Sequence, residues 1–205
     1  MKKSIIVAFA ALILMMSLCS CGEKSQHGIY QEIYKRYNNL ESFYAAAEIT
    51  VRSDKTESVY MVRQFYENPD KFSLVVDSPE EAAGSGYTAK DGKFLLKSGF
   101  GHTAECAVAF PEERNTVFLC DFFEEYYKSE ETFVETSGTL SGNTITMTCF
   151  IPGKNEERFM QSLKIDSKTY LPLVLETYDI DKKPVVTVRY GEFKRNCDID
   201  EKIFD

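Results

Sequence analysis

From residue 42 onward, one segment after another places apolar side chains at every second position. In SFYAAAEITVRS, Phe43, Ala45, Ala47, Ile49 and Val51 share one face, and Tyr44, Glu48, Thr50 and Arg52 share the other. Successive side chains point to opposite faces of a strand, so this spacing dictates β structure and rules out a long amphipathic helix. ESVYMVRQFYENP alternates in the same way, with Val59, Met61 and Phe65 against Tyr60, Val62 and Tyr66, and KFSLVVDSP follows with Phe72, Leu74 and Val76. GYTAKDGKFLLKSG reads as two short strands around Asp91-Gly92, a strong hairpin signal. HTAECAVAF (102–110) alternates again. After residue 131 come TFVETSG, NTITMTCFIP, RFMQSLKID, LPLVLETYDI and PVVTVRYGEF, separated by turns at 141–143, 166–168 and 181–183. The pattern predicts about 10–11 antiparallel strands.

Two segments break the period of two. In IYQEIYKRYNNL (29–40), Ile29, Ile33, Tyr37 and Leu40 recur at helical spacing. In TVFLCDFFEEYYKSEE (116–131), Leu119, Phe122, Phe123 and Tyr126 form one side, while Asp121, Glu124 and Glu125 load the other. Asn115 or Thr116 supplies a cap for this helix. So many strands with one apolar face need a cover, and two helices laid inside a strongly curved sheet provide it. The expected fold class is therefore α+β: a strongly curved, open antiparallel half-barrel with helices on its concave face. Leu119, Phe122, Phe123 and Tyr126 are the candidate concave-face helix residues.

The N-terminus is of another kind. Lys2 and Lys3 precede an unbroken apolar and small-residue run at 5–16, the layout of a secretory signal. The run is short for a membrane span, which needs about 20 apolar residues. Leu18-Cys19-Ser20-Cys21 then matches the bacterial lipoprotein pattern, with Leu three residues before a cysteine and a small residue just before it. Cys19 does not fit, because bulky Leu18 precedes it. The expected division is a signal peptide over 1–20, a lipid-anchored polar tether over 21–28, and one domain over 29–205. Cys21 would carry a diacylglycerol and hold the protein at the extracytoplasmic face of the cell membrane.

Net charge is −8, and loss of Lys2 and Lys3 with the signal makes the mature chain more acidic still. Such a chain is poorly suited to nucleic acid or other polyanions, which are bound through Lys and Arg. Cys106, Cys120, Cys149 and Cys197 remain after Cys21. Four cysteines allow three disulfide connectivities; the alternative is that they are small, buried, unpaired side chains. Catalytic constellations are hard to find. His27 and His102 are the two histidines. His102 and Cys106 lie about 13 Å apart on a strand, too far to share a metal. The acidic groups Asp179-Asp181 and Asp198-Asp200-Glu201 lack the glycine and ligand spacing of a calcium loop. The residues read as a binding protein, with no catalytic residue, cofactor or metal site assigned.

A family resemblance adds to this reading. "NPDKFSLVV", the "DGK" hairpin, a helix in the middle, "LKIDSKTYLPLVLETYD" and a closing "VRYGEFKRNCDIDEKIF" occur here in the order found in the LolA/LolB-like lipoprotein carrier superfamily. The match runs over 29–205 and implies a half-barrel sheet with helices inside. "ENPDKFSLVV", "DGKFLLK" and "TVFLCDFFEEYYKSEET" further resemble the clostridial spore germination lipoproteins of the GerS type, although Cys120 stands where that group has glycine. That resemblance implies a lipid-anchored, non-enzymatic protein that binds and activates a zinc amidase of spore-cortex peptidoglycan, placed at the cell or forespore membrane. The superfamily name implies an alternative, a carrier that holds acyl chains between sheet and helices.

Overall fold

The computed structural model describes residues 26–106, 117–139 and 142–205. The signal, Cys21 and the cap candidates Asn115 and Thr116 lie outside the described residues. Eleven strands form one antiparallel sheet that does not close: β1 (Ser42–Arg52), β2 (Glu57–Glu67), β3 (Lys71–Ser78), β4 (Gly86–Lys90), β5 (Lys93–Lys97), β6 (Thr103–Cys106), β7 (Thr132–Thr139), β8 (Gly142–Asn155), β9 (Arg158–Asp166), β10 (Pro172–Tyr178) and β11 (Pro184–Arg195). Their order is β6-β5-β4-β3-β2-β1-β11-β10-β9-β8-β7. The chain lays six strands outward to one edge, crosses to the opposite edge, and returns in five strands until β11 pairs with β1. This is the half-barrel that the alternation predicts.

Register decides which residues face inward. Phe43 lies opposite Tyr66, Ala45 opposite Gln64, and Ala47 opposite Val62. On the other side Ala45 meets Phe193 and Ala47 meets Tyr190, so Gly191 is an extra residue in β11. That bulge lets Tyr190 and Phe193, three apart in sequence, turn to the same face, where their rings meet at 5.8 Å. At the Asp91-Gly92 turn both residues have positive φ, 53° and 71°, as a two-residue hairpin of this hand requires.

Two helices fill the concave face. Helix α1 (Gln26–Tyr37) begins three residues before its apolar period, so residues 26–28 form its first turn rather than part of the tether. Helix α2 (Leu119–Lys128) starts later than its sequence pattern suggests. Phe118 precedes it in an extended conformation, φ −95° and ψ 137°, without a side-chain cap. The reason is tertiary. The Phe118 ring is pinned in the core against Phe72 at 5.2 Å and Phe43 at 6.5 Å, and Gln64 donates Nε2–H to the Val117 carbonyl at 3.0 Å. These contacts hold residues 117–118 straight before the helix can turn.

The strands end at two rims. One, here the upper rim, carries turns 53–56, 79–85, 98–102, 129–131, 156–157 and 179–183; the lower rim carries 38–41, 68–70, 91–92 and 167–171. From the lower rim the last ten residues run back over the convex face as a strap. The Asn196 N–H donates to the Ser42 carbonyl and Ser42 Oγ–H donates to the Cys197 carbonyl. A 3₁₀ turn (Glu201–Phe204), capped by the Asp200 side chain, then buries Phe204 to 1% exposure.

Candidate functional site

The interior of the half-barrel is the first place to look, because a carrier needs space there and a scaffold does not. Leu119, Phe122, Phe123 and Tyr126 are all buried on α2, against Ile145, Met147 and Cys149 of β8 among others. Tyr37 of α1 stacks on Phe123 at 4.5 Å and 18°. Phe122 reaches Tyr126 at 5.8 Å, and Tyr34 meets Tyr127 edge-on at 5.3 Å. Each such ring contributes roughly 1.5–3 kcal/mol through removal from water, with aromatic pairing adding about 0.5–1.5 kcal/mol. Rings contributed by α1 and α2 thus occupy the concave face.

The buried polar groups are structural in kind. The Tyr37 hydroxyl donates to the Tyr170 carbonyl at 2.6 Å, and burial raises its pKa. Tyr170 sits at φ 58° in the 167–171 turn, whose Asp166 Oδ1 accepts from the Lys168 and Thr169 N–H groups and the Thr169 hydroxyl. Those bonds hold the Asp166 carboxyl below its usual range. The Arg36 guanidinium lies 4.5 Å above the Tyr170 ring. The Asp-Ser-Lys-Thr-Tyr run is therefore a hydrogen-bonded latch that seats α1 on the sheet. Burial pushes the Cys149 thiol up to about 12, which makes it a packing residue rather than a nucleophile. Among the described residues, Cys120, Cys149 and Cys197 carry thiols rather than disulfides, and no group of three His, Cys, Asp or Glu side chains is placed to hold a metal ion. No helix among them is long and apolar enough to cross a membrane.

Two cavities open beside the helices. One, of about 370 Å³, lies at the lower rim between α1 and β7–β8, lined by Ile29, Thr136, Ser137, Asn143, Ser167 and Tyr170 among others. The second, of about 270 Å³, is bordered by Tyr37, Asn68, Phe72 and Asp121. The first mixes hydroxyls and an amide with Ile29, Ile145 and Tyr170, and its volume falls within the range of ligand sites, roughly 300–1,000 Å³.

A family model for sporulation protein YdcC-like proteins matches residues 1–204. The chain belongs to the sporulation protein YdcC-like family. Sporulation protein YdcC of Bacillus subtilis (strain 168) is 20% identical over 205 residues, which are all of this chain but 60% of that protein, so this family member spans about three fifths of its relative's length. Among solved structures, the chain is similar to the GerS lipoprotein in its complex with the CwlD amidase of Clostridioides difficile. The identity is 25%, the TM-score 0.50, and the match covers 84% of this chain and 97% of that one. The MucA/MucB complex of Pseudomonas aeruginosa shares the fold at 11% identity and TM-score 0.50, over 85% of this chain and 59% of that one. The open antiparallel half-barrel with helices on its concave face and the likeness to GerS, both read from the sequence, are borne out.

Sequence reasoning missed two features. Nothing marked Gln64 as the donor that holds the entry to α2. Nor did the acidic run Asp198-Asp200-Glu201 mark a packed strap, in which Glu201 pairs with Lys71 at 2.9 Å and Asp205 with Lys90 at 2.8 Å. Ile203-Phe204 in an otherwise charged tail was the available signal.

Proposed function

We propose that this YdcC-like protein is a lipoprotein held by Cys21 at the extracytoplasmic face of the cell or forespore membrane. There its half-barrel acts as a non-enzymatic scaffold that recruits or activates a peptidoglycan amidase of the spore cortex. The observation that carries this reading is the likeness to GerS over 97% of that chain, in a structure whose other component is the CwlD amidase. The filled concave face supports it, since it leaves the outer surface and rims for recognition. A carrier reading has the 370 Å³ cavity in its favour and the ring-filled concave face against it. The test is capture of the tagged full chain from detergent-solubilised membranes of sporulating cells. The amidase should be retained at a stoichiometric level; repeated capture without it contradicts the scaffold role. The anchor is tested separately. Cys21→Ala should lose incorporation of an alkynyl fatty acid and release the protein from membranes, whereas Cys19→Ala should change neither, and label persisting on Cys21→Ala refutes the assignment.

A further inference from the structure

The upper rim differs from the rest of the surface. Among the described residues, seven of the nine exposed large apolar side chains lie on it or within a few residues of it. They include Val59 and Met61, each 45% exposed, Phe133 at 54%, and Phe100 at 90%. Met61 lies opposite Ser78, and the 79–85 turn that follows shares a surface hollow with Phe100, which gathers Val59, Met61 and Phe100 towards one part of the rim, as at interaction sites. The same rim is acidic. Three of its turns each carry an exposed glutamate pair, Glu80-Glu81, Glu130-Glu131 and Glu156-Glu157. With Asp54, Asp179 and Asp181, acidic side chains in these turns outnumber Lys55, Lys182 and Lys183, and the nearby cations Arg52 and Arg63 are paired with Glu57 and Asp77. Among the described residues the lower rim is less biased: its turns carry Glu41, Asp70 and Asp91 against Lys168, and Lys71 and Lys90 balance Glu201 and Asp205 beside them.

The anchor proposed at Cys21 would fix which rim looks outward. Residues 22–25 separate Cys21 from α1, and four residues span at most about 14 Å. The first turns of α1 sit at the lower rim, where Ile29 shares a cavity with Gly138, Asn143, Ser167 and Tyr170. The lower rim is thus held against the bilayer, and β1, eleven residues long, sets the upper rim about 35 Å beyond it. Anionic headgroups repel an acidic surface, so the upper rim is also electrostatically unsuited to the membrane.

We infer that the upper rim is the docking surface for the amidase, and that the amidase meets it with a basic surface that takes the exposed Val59, Met61 and Phe100 into apolar hollows. Charge complementarity of this sort speeds encounter and sets orientation, while the apolar contacts hold the complex. This inference rests on the amidase reading above. The test titrates the full chain in detergent micelles with the purified amidase from the same cells, comparing wild type with Glu80→Lys/Glu81→Lys, with Glu130→Lys/Glu131→Lys, and with Phe100→Ser. All these side chains are exposed, so thermal midpoints should stay put. Each variant should bind at least about 10-fold more weakly, and wild-type affinity should fall as salt rises. The lower-rim control Lys93→Glu/Lys168→Glu should bind as wild type. Upper-rim variants that bind normally, or a control that loses as much, overturn the rim assignment while leaving the amidase reading intact. No wild-type binding refutes the amidase reading and the rim with it. If the protein without its anchor (Cys21→Ala) binds phosphatidylglycerol vesicles and Phe100→Ser abolishes that binding, the rim is a membrane surface and the inference fails.

Discussion

Strand β8 buries one face, whereas β2 and β3 are also covered from behind at Phe65 and Ser73. In β8, Ile145, Met147 and Cys149 face the helices, while Thr144, Thr146 and Thr148 alternate with them on the convex side. In β2, Tyr66 faces the helices and its neighbour Phe65 faces outward, yet both are buried. Phe65 lies opposite Ser73, and Ser73 opposite Thr88; all three are covered on the convex side, where the strap runs. The strap packs against β3 and β4. The difference shows that this half-barrel leaves the back of β8 to half-exposed threonines and braces the back of β2–β4 with a strap of ten residues.

The comparison breaks most severely if the shared interior is opened. Phe122→Ala removes a fully buried ring from α2 and should cost about 3–5 kcal/mol, lowering the thermal midpoint of the whole domain. An unchanged midpoint would mean that the ring does not support the core. Phe204→Ala sharpens the contrast instead. It should cost less, about 2–3 kcal/mol, because the strap can lift locally. Hydrogen exchange should then accelerate in β3, β4 and residues 196–205 while β8 and β9 keep their protection. Uniform acceleration across all eleven strands would contradict a brace confined to one half.

Acid should loosen the same brace. Hydrogen bonds from Lys71 hold the Glu201 carboxyl below its usual range, and Lys90 does the same for Asp205. A carboxyl depressed in the folded state stabilises it above the unfolded pKa of roughly 4, and that contribution is lost as pH falls through the lower folded value. Protection factors in residues 196–205, corrected for the intrinsic slowing of exchange in acid, should therefore fall between pH 5 and about 3 in the wild type. In Lys71→Ala the strap should be looser already at pH 6 and its further change on acidification smaller. An equal response in both proteins would remove Lys71 as the cause. The smallest effect is expected on the open half: Phe133→Ser, on the solvent side of β7, should shift stability by no more than about 0.5 kcal/mol. A larger loss in a thermal melt would show that this face is packed.

The same comparison explains what could be read in advance. The β8 alternation runs cleanly because one face is wet, so the period of two announces the strand and its buried side. Leu119, Phe122, Phe123 and Tyr126 are legible because α2 presents its whole apolar side to one sheet. Phe204 has no such signature. A single turn of apolar residues in a charged tail has no period, and its burial depends on Phe65, Ser73 and Thr88, which the register brings beneath it. The late start of α2 was equally hidden, since the Gln64 bond that holds Val117 joins residues 53 positions apart. The upper rim is further from sequence still. Its apolar and acidic residues come from six separate turns and their flanking strand ends, and only the strand order collects them at one end of the sheet.

The scaffold account is tested most directly by native mass spectrometry of the full chain, released from detergent after co-expression with the sporulation amidase of the same cells. The account expects a stoichiometric protein–protein complex and no lipid beyond the covalent anchor. Non-covalently bound lipid at one per chain, with no amidase complex, would contradict it and establish the half-barrel as a carrier.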